Sequence, residues 1–173
     1  MRFVFLFLLL PALAFSQCVP NDWAGSYAGN MQIFGNNGLQ QTIGVHLDLL
    51  PIDHSGVWSY NMSYVNLKND EVVSTKAYKI VYSEQNKSCW MDEGDSLLIE
   101  MSLLDNCFYD HFELSEMFFN SSLCKEGDDL LFMITGGKKK PTFTSPFIDG
   151  AGGVVESMHV GFLQRVRLIK ITP

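Results

Sequence analysis

Apolar and polar side chains alternate along most of the chain, which is the pattern of half-buried β-strands. The clearest case is the segment 56–65, with the sequence GVWSYNMSYV. In an extended conformation it places four bulky side chains on one face, namely Trp58, Tyr60, Met62 and Tyr64. Such a row needs a wide apolar space, which a closed or nearly closed antiparallel sheet provides. We therefore predict that this segment is a central strand of a β-barrel.

The same alternation predicts about ten strands of roughly 7 to 12 residues, joined by hairpin-length turns and without a helical period. The predicted strands are 23–34, 41–49, 56–65, 72–83, 89–92, 96–104, 106–115, 116–123, 129–135 and a long final strand, 154–171. Gly25 and Gly29 suggest a bend or bulge in the first strand. Gly136 and Gly137 are expected to end the strand that begins at Asp129, and residues 138–153 form the longest irregular piece.

The predicted fold class is all-β, an antiparallel up-and-down β-barrel of about 8–10 strands. Closure removes the exposed sheet edges that would otherwise favour aggregation. An immunoglobulin-like sandwich is the competing all-β layout, but the chain lacks the Cys, Trp, Cys arrangement that such a domain carries.

The first sixteen residues have the layout of a secretory signal peptide. Arg2 precedes an apolar run, 3–10, and small residues follow at Ala14 and Ser16. The run is too short to span a bilayer of about 30 Å. We predict cleavage after Ser16, one domain at 17–173, and a secreted or periplasmic location. The alternative is a lipoprotein signal with Cys18 as the lipidated residue, although the small residue expected before such a cysteine is absent.

The chain is acidic, with 19 Asp and Glu against 12 Lys and Arg. A nucleic-acid partner is not expected, because phosphate binding needs a basic face. We also expect no cofactor, no metal and no membrane span, whereas the oligomeric state is left open. A Gly-x-Ser-x-Gly elbow and a phosphate-binding glycine loop are both absent from the sequence. Acid pairs such as Asp92 with Glu93 fall at predicted turns and are interpreted as hydrated. No catalytic constellation is visible, and the protein is not expected to be an enzyme.

Four cysteines, Cys18, Cys89, Cys107 and Cys124, follow the predicted cleavage point. An even number in an exported chain favours disulfides. If 108–114 and 117–123 form a hairpin that turns at Ser115 and Glu116, Cys107 lies opposite Cys124, within disulfide range. Cys18 with Cys89 follows by elimination. Free thiols in a reducing setting are the alternative.

A family resemblance covers nearly the whole mature chain. The segments that carry it are DWAG (22–25), VWSYNMSYV (57–65), KAYKIV (76–81), MDEGDSLLIEM (91–101), FYDHFELSEMFF (108–119), EGDDLLFMIT (126–135) and LQRVRL (163–168). This succession resembles a group of secreted, uncharacterised lipocalin-like (calycin-type) proteins of Bacteroidota. The resemblance implies a small barrel with an internal ligand cavity. A clear helix after the last strands is missing, which brings the chain nearer to ten-stranded fatty-acid-binding or nitrobindin-like barrels.

The resemblance to fatty-acid-binding barrels makes Arg165 and Arg167 candidates for an anion anchor, since a basic residue on a late strand pairs there with the ligand carboxylate. The alternative is that both arginines point outward as solvated charges. The remaining ligand-binding candidates are aromatic side chains on the predicted inner face, namely Trp58, Tyr60, Tyr64, Tyr78, Phe112 and Phe132. These rings either line a pocket or fill the barrel completely.

Three functional hypotheses remain open on the sequence. The leading one is an exported barrel that binds or carries a small hydrophobic or anionic lipid-like ligand. The second is a structural or protein-interaction module with a packed barrel, whose outer surface or 138–153 loop contacts a partner. The third is a haem-binding or isomerase calycin, for which His159 would be the haem ligand by its late position. The ordinary interpretation of His159, and of His46, His54 and His111, is a surface or polar-lining histidine.

Overall fold

The computed structural model describes residues 18–52, 56–147 and 153–171, which are almost entirely β-structure. Ten strands form a closed barrel, and two more form a separate hairpin. The barrel strands are β1 Gly25–Gly35, β2 Gly38–Ile52, β3 Val57–Val65, β4 Val72–Ser83, β5 Ser88–Asp92, β6 Leu98–Leu104, β7 Cys107–Leu114, β8 Met117–Glu126, β9 Asp129–Lys138 and β12 Phe162–Lys170. The hairpin consists of β10 Phe143–Phe147 and β11 Gly153–Ser157, and a short 3-10 helix, Asn21–Trp23, precedes β1. The predicted signal peptide, 1–16, and His54 lie outside the described residues.

The barrel is an antiparallel meander in which each of β1 to β8 pairs with the next strand along the chain. The β10–β11 hairpin is inserted after β9, and β12 then returns between β9 and β1 to close the barrel. The predicted all-β, up-and-down barrel is therefore confirmed, with ten strands. No helix in the described ranges has the length and hydropathy that a membrane-spanning helix needs.

Strand β3 shows how the alternating pattern builds the interior. Trp58, Tyr60 and Met62 are all buried, while the residues between them are partly exposed. The shared inner face expected from the sequence is therefore confirmed. Because two neighbouring strands in register present their side chains to the same face, Tyr60 and its partner Tyr78 on β4 both point inward.

The last third of the chain departs from the prediction. The expected long strand 154–171 is two strands in different sheets, β11 and β12, which are separated by residues 158–161. Gly136 and Gly137 continue β9 instead of ending it, and the irregular piece 138–153 contains β10.

In the first strand, the irregularity in pairing with β2 lies at Ile33 and Phe34, not at the glycines.

Gly29 on β1 lies where β12 approaches closely. A Cβ atom at this position would be 2.1 Å from the carbonyl oxygen of Arg167 and 2.7 Å from the side chain of Val166. Only a residue without a Cβ lets the two backbones come this near without rearrangement.

Both predicted disulfides are present. Cys107 and Cys124 are directly opposed in the β7–β8 hairpin, whose turn is at residues 115–116 as expected. Cys18 is bonded to Cys89 at the start of β5, across 71 residues of sequence. The second bond fixes the segment before the 3-10 helix against the barrel, where Cys18 and Val19 are buried.

One end of the barrel is packed solid. Trp23 from the 3-10 helix lies at this end. Inward residues from the start of β3, β7 and β9, and from the end of β2 and β12, lie in the same layer. The fully buried members of this layer include Trp23, Tyr27, Leu47, Leu49, Trp58, Ile80, Phe108, Leu130 and Leu168. The phenol of Tyr27 donates a hydrogen bond to the carbonyl of Trp23 at 2.7 Å, so its polar atom is satisfied inside the core.

Candidate ligand-binding site

The other half of the barrel encloses a cavity of about 400 Å³. Most of its wall is aliphatic or aromatic, with a small number of polar groups. Its lining residues are Ile33, Gln41, Ile43, Tyr60, Met62, Tyr64, Lys76, Tyr78, Met91, Glu93, Ile99, Asp110, Phe112, Phe119, Ser121, Phe132, Ile134, Phe162 and Gln164. An apolar space of this size with few polar groups has the composition of a small-molecule site.

The cavity opens at the end opposite the packed layer. All ten barrel strands contribute to its wall, the odd-numbered ones β1 to β9 mainly with their ends and β2, β4, β6, β8 and β12 mainly with their starts, which antiparallel pairing brings to one rim. Gln41 and Lys76 are exposed, so they lie at the mouth, whereas Tyr60 is almost completely buried. The barrel is thus closed at one end and hollow at the other.

A polar cluster lies at the mouth. The ammonium of Lys76 donates a hydrogen bond to the phenol oxygen of Tyr78 at 3.0 Å. Burial raises the pKa of Tyr78, while the hydrogen bond from Lys76 acts in the opposite direction. That same bond is the main cause of a raised pKa for Lys76, to which the charge of Glu93 also contributes. The cluster therefore keeps Lys76 charged and Tyr78 protonated at neutral pH.

Two further phenols line the cavity from β3. Burial raises the pKa of Tyr60 and, to a smaller extent, that of Tyr64. Negative charges on Asp110 and Glu93 add to the effect at Tyr60. Both phenols remain neutral over the physiological range and can offer hydrogen bonds to a bound molecule.

Asp110 brings a carboxyl group to the inner face of β7. The hydroxyl of Ser121, its cross-strand partner on β8, donates to Oδ2 at 2.5 Å. The other oxygen, Oδ1, is buried and has no hydrogen-bond partner within the described part of the chain. Burial raises the pKa of Asp110, and hydrogen bonding from Ser121 opposes that shift.

The comparisons with known proteins bear on the fold. No protein-family model matches the chain, and no curated protein matches it. Among solved structures, the chain is similar to an S-type phycobiliprotein lyase from Guillardia theta, with a TM-score of 0.57 over 88% of this chain and 90% of that one. The fold is a calycin-like barrel. The two sequences are 9% identical, so the likeness extends to the fold alone.

Five of the eight predicted ligand-binding residues line the cavity of the calycin-like barrel. They are Tyr60, Tyr64, Tyr78, Phe112 and Phe132. Trp58 shares the inner face of β3 with Tyr60 but belongs to the packed end, where it is 1% exposed. It supports the floor of the cavity and is not part of its lining.

The two arginines do not reach the cavity. Arg165 and Arg167 project from the outer face of β12, where Arg165 donates to the side-chain oxygen of Gln32 at 3.3 Å. Arg167 forms ion pairs with Glu126 and Asp129 on the outside of the barrel. The predicted anion anchor is wrong, because the residues of β12 that point inward are the alternate ones, such as Val166 and Leu168.

Several polar lining residues were not among the sequence candidates. Lys76 has the same strand parity as Tyr78, and Asp110 lies between Phe108 and Phe112 on the inner face of β7. Residues two apart on a strand face the same side, so the two-residue spacing from inward aromatic side chains is the signal that could have identified Lys76 and Asp110. Glu93 was interpreted as a hydrated turn residue, but it contributes to the cavity wall just after β5.

The described histidines lie away from the site. His46, His111 and His159 are exposed, and none of them lines the cavity. His159 is within 3.0 Å of the side-chain oxygen of Asn36, and His111 is within 2.7 Å of that of Asn120. A haem ligand at His159 has no support in this arrangement.

Proposed function

We propose that the protein binds or carries a small hydrophobic ligand in the hollow half of its barrel. The observation that carries the proposal is the 400 Å³ cavity, whose wall consists mainly of apolar and aromatic side chains. Burying an apolar molecule against such a wall is favourable by about 25 cal/mol per Å² of apolar surface removed from water.

We further propose that the protein is exported and belongs with the secreted lipocalin-like proteins of Bacteroidota, with residues 1–16 as a cleaved signal peptide and 17–173 as one domain. Two disulfides support this location, because such bonds form and persist in oxidising compartments. Mass spectrometry of the mature protein from its own host would test the cleavage after Ser16.

The alternative is a protein-interaction module whose barrel is filled by its own side chains. The cavity of about 400 Å³ argues against such a filled interior. One observation favours an interaction surface nonetheless: the β10–β11 hairpin exposes Phe143, Val154 and Val155 to solvent. Size-exclusion chromatography with light scattering on wild type and on Phe143→Ser would show whether this hairpin joins two copies.

The cavity can be tested with a neutral apolar probe, N-phenyl-1-naphthylamine, whose fluorescence rises on transfer from water to an apolar site. We expect saturable binding to the wild type. In Ile134→Trp the added indole occupies the cavity, and we expect affinity to fall by about tenfold or more, which corresponds to about 1.4 kcal/mol. Native mass spectrometry of protein from its own host would reveal a retained molecule directly.

Ile169→Trp is the matched control, since Ile169 lies on the outer face of β12 and is 51% exposed. Its affinity for the probe should equal that of the wild type. Circular dichroism must show that both variants are folded, because overpacking costs about 1–3 kcal/mol. Equal probe binding by the Ile134→Trp and Ile169→Trp proteins would contradict a site inside the barrel.

A further inference from the structure

The charges around the cavity are unsuited to an anionic ligand. Among the described lining residues, Lys76 is the single cation, and it is opposed by Glu93 and Asp110. The two arginines that could have reversed this balance are on the outer surface, and Arg167 is already paired there. A free carboxylate brought into the cavity would therefore face two like charges and one opposite charge.

Lys76 already has an interaction partner. Lys76 lies at the mouth with its ammonium directed to Tyr78, and the ring centroid of that residue is 5.5 Å away. Glu93 is close enough to influence both groups. A carboxylate ligand would have to compete with these neighbours for Lys76, in an exposed position where an ion pair contributes little.

Asp110, by contrast, has unused hydrogen-bonding capacity. An ionised carboxylate has about four lone-pair sites, and the Ser121 hydroxyl occupies one of them. Oδ1 is buried without a partner among the described residues. A buried acceptor that lacks a donor is costly, and a donor on a bound molecule removes that cost.

We propose that the natural ligand is an apolar molecule that carries a hydrogen-bond donor, a hydroxyl or an amine, and that Asp110, positioned by Ser121, binds this donor. The apolar body packs between the aromatic side chains of the hollow half, and free fatty acids are disfavoured. This inference rests on the proposed function and specifies the ligand class for the same cavity.

Three ligands with the same chain test the inference, namely decylamine, decanol and decanoic acid, each below its critical micelle concentration. They would compete with N-phenyl-1-naphthylamine at about pH 7, where the amine is charged and the acid is ionised. We expect the amine and the alcohol to bind at least about tenfold more tightly than the acid. In Asp110→Asn the advantage of the amine over the acid should fall to less than about threefold.

The chain offers a close control on its outer face. Ser26 donates to the carboxylate of Asp48 at 2.5 Å, which repeats the Ser121–Asp110 pair outside the barrel. Asp48→Asn changes the net charge equally but should leave the ligand preference at the wild-type value. If it changed the preference as much as Asp110→Asn does, general attraction by an acidic protein would explain the result and the inference would be overturned.

The outcomes separate this inference from the proposed function. Tight binding of decanoic acid by the wild type, equal to or better than that of decylamine, overturns the donor-ligand inference and leaves cavity binding intact. This comparison needs only the wild-type protein, so it holds even if Asp110→Asn does not fold. Failure of the probe and of all three ligands to bind would overturn both.

Discussion

Trp23 and Phe108 meet edge to face at the closed end of the barrel, with ring centroids 5.4 Å apart and planes at 74°. Trp23 belongs to the 3-10 helix before the first strand, and Phe108 to β7 on the barrel wall. Aromatic pairs in this geometry contribute about 0.5–1.5 kcal/mol beyond the surface they bury. The contact fixes the helix as a plug, so that the cavity has a floor.

Removing the ring of Phe108 should destabilise the fold without emptying the binding site. We expect Phe108→Ala to lower the free energy of unfolding by about 3–5 kcal/mol, because its side chain is fully buried. Phe143→Ala, at a position that is 64% exposed, should change it by less than about 0.5 kcal/mol. Urea denaturation with the disulfides intact would measure both. A loss of probe affinity in folded Phe108→Ala would show that the two ends are coupled.

The two disulfides should differ in their contribution to stability. Cys18–Cys89 closes 71 residues of sequence, and Cys107–Cys124 closes 17. In the chain-entropy description the longer loop contributes about 1 kcal/mol more. We therefore expect the Cys18→Ser/Cys89→Ser double variant to lose more stability than the Cys107→Ser/Cys124→Ser double variant, as measured by urea denaturation. The reverse order would indicate that the segment around Cys18 adds little to the folded state.

Gly29→Ala should loosen the seam between β1 and β12. Its Cβ would meet the Arg167 carbonyl oxygen at 2.1 Å, and a backbone atom cannot move aside as a flexible side chain can. We expect a loss of about 1–3 kcal/mol in the free energy of unfolding. Gly127→Ala is an unsuitable control because of its positive φ, whereas Gly161→Ala, with its nearest atom at 3.8 Å, should have little effect. Equal stability of the Gly29→Ala and Gly161→Ala proteins would disprove the close approach.

Asp110 should make the stability of the ligand-free protein depend on pH. Burial raises its folded-state pKa. A carboxyl group whose pKa is raised by folding destabilises the folded state fully above that folded-state pKa. The destabilisation shrinks as pH falls through the folded-state pKa and is absent below the unfolded pKa. Asp110→Asn retains an oxygen for Ser121 and removes the charge.

We therefore expect Asp110→Asn to have a higher Tm than the wild type at neutral pH, with the difference shrinking toward acid. Thermal unfolding from about pH 4 to about pH 8 would measure this difference. Asp48→Asn, on the outer face, controls for the change in net charge. A Tm of Asp110→Asn below that of the wild type at neutral pH would mean that the carboxylate is stabilising in place.

The sequence predicted the inner face wherever one strand parity was clearly apolar. Trp58, Tyr60 and Met62 on β3 are the best case, and the Cys107–Cys124 pair followed from the same counting across a hairpin. On β12 apolar residues occur on both faces, since Leu168 is buried and the next residue, Ile169, is 51% exposed. The alternation of apolar and polar residues could therefore not show which face of β12 points into the barrel.

The polar lining residues were missed for a different reason. Asp110 and Lys76 occupy positions whose parity is that of the interior, yet a charged side chain is ordinarily assigned to the surface. Lys76 is accommodated because it is exposed at the mouth, and Asp110 because Ser121 donates a hydrogen bond to one of its oxygens. Whether a barrel is filled or hollow depends on side chains from all of its strands at once, which no single stretch of sequence reports.

The division of the barrel into a solid and a hollow half has a practical consequence for redesign. Residues that hold the fold together, such as Trp23 and Leu130, are separate from residues that would touch a guest molecule, such as Phe119 and Ile134. Substitution of cavity residues such as Phe119 and Ile134 could therefore change the range of ligands that bind, while the packed end of the barrel is kept unchanged.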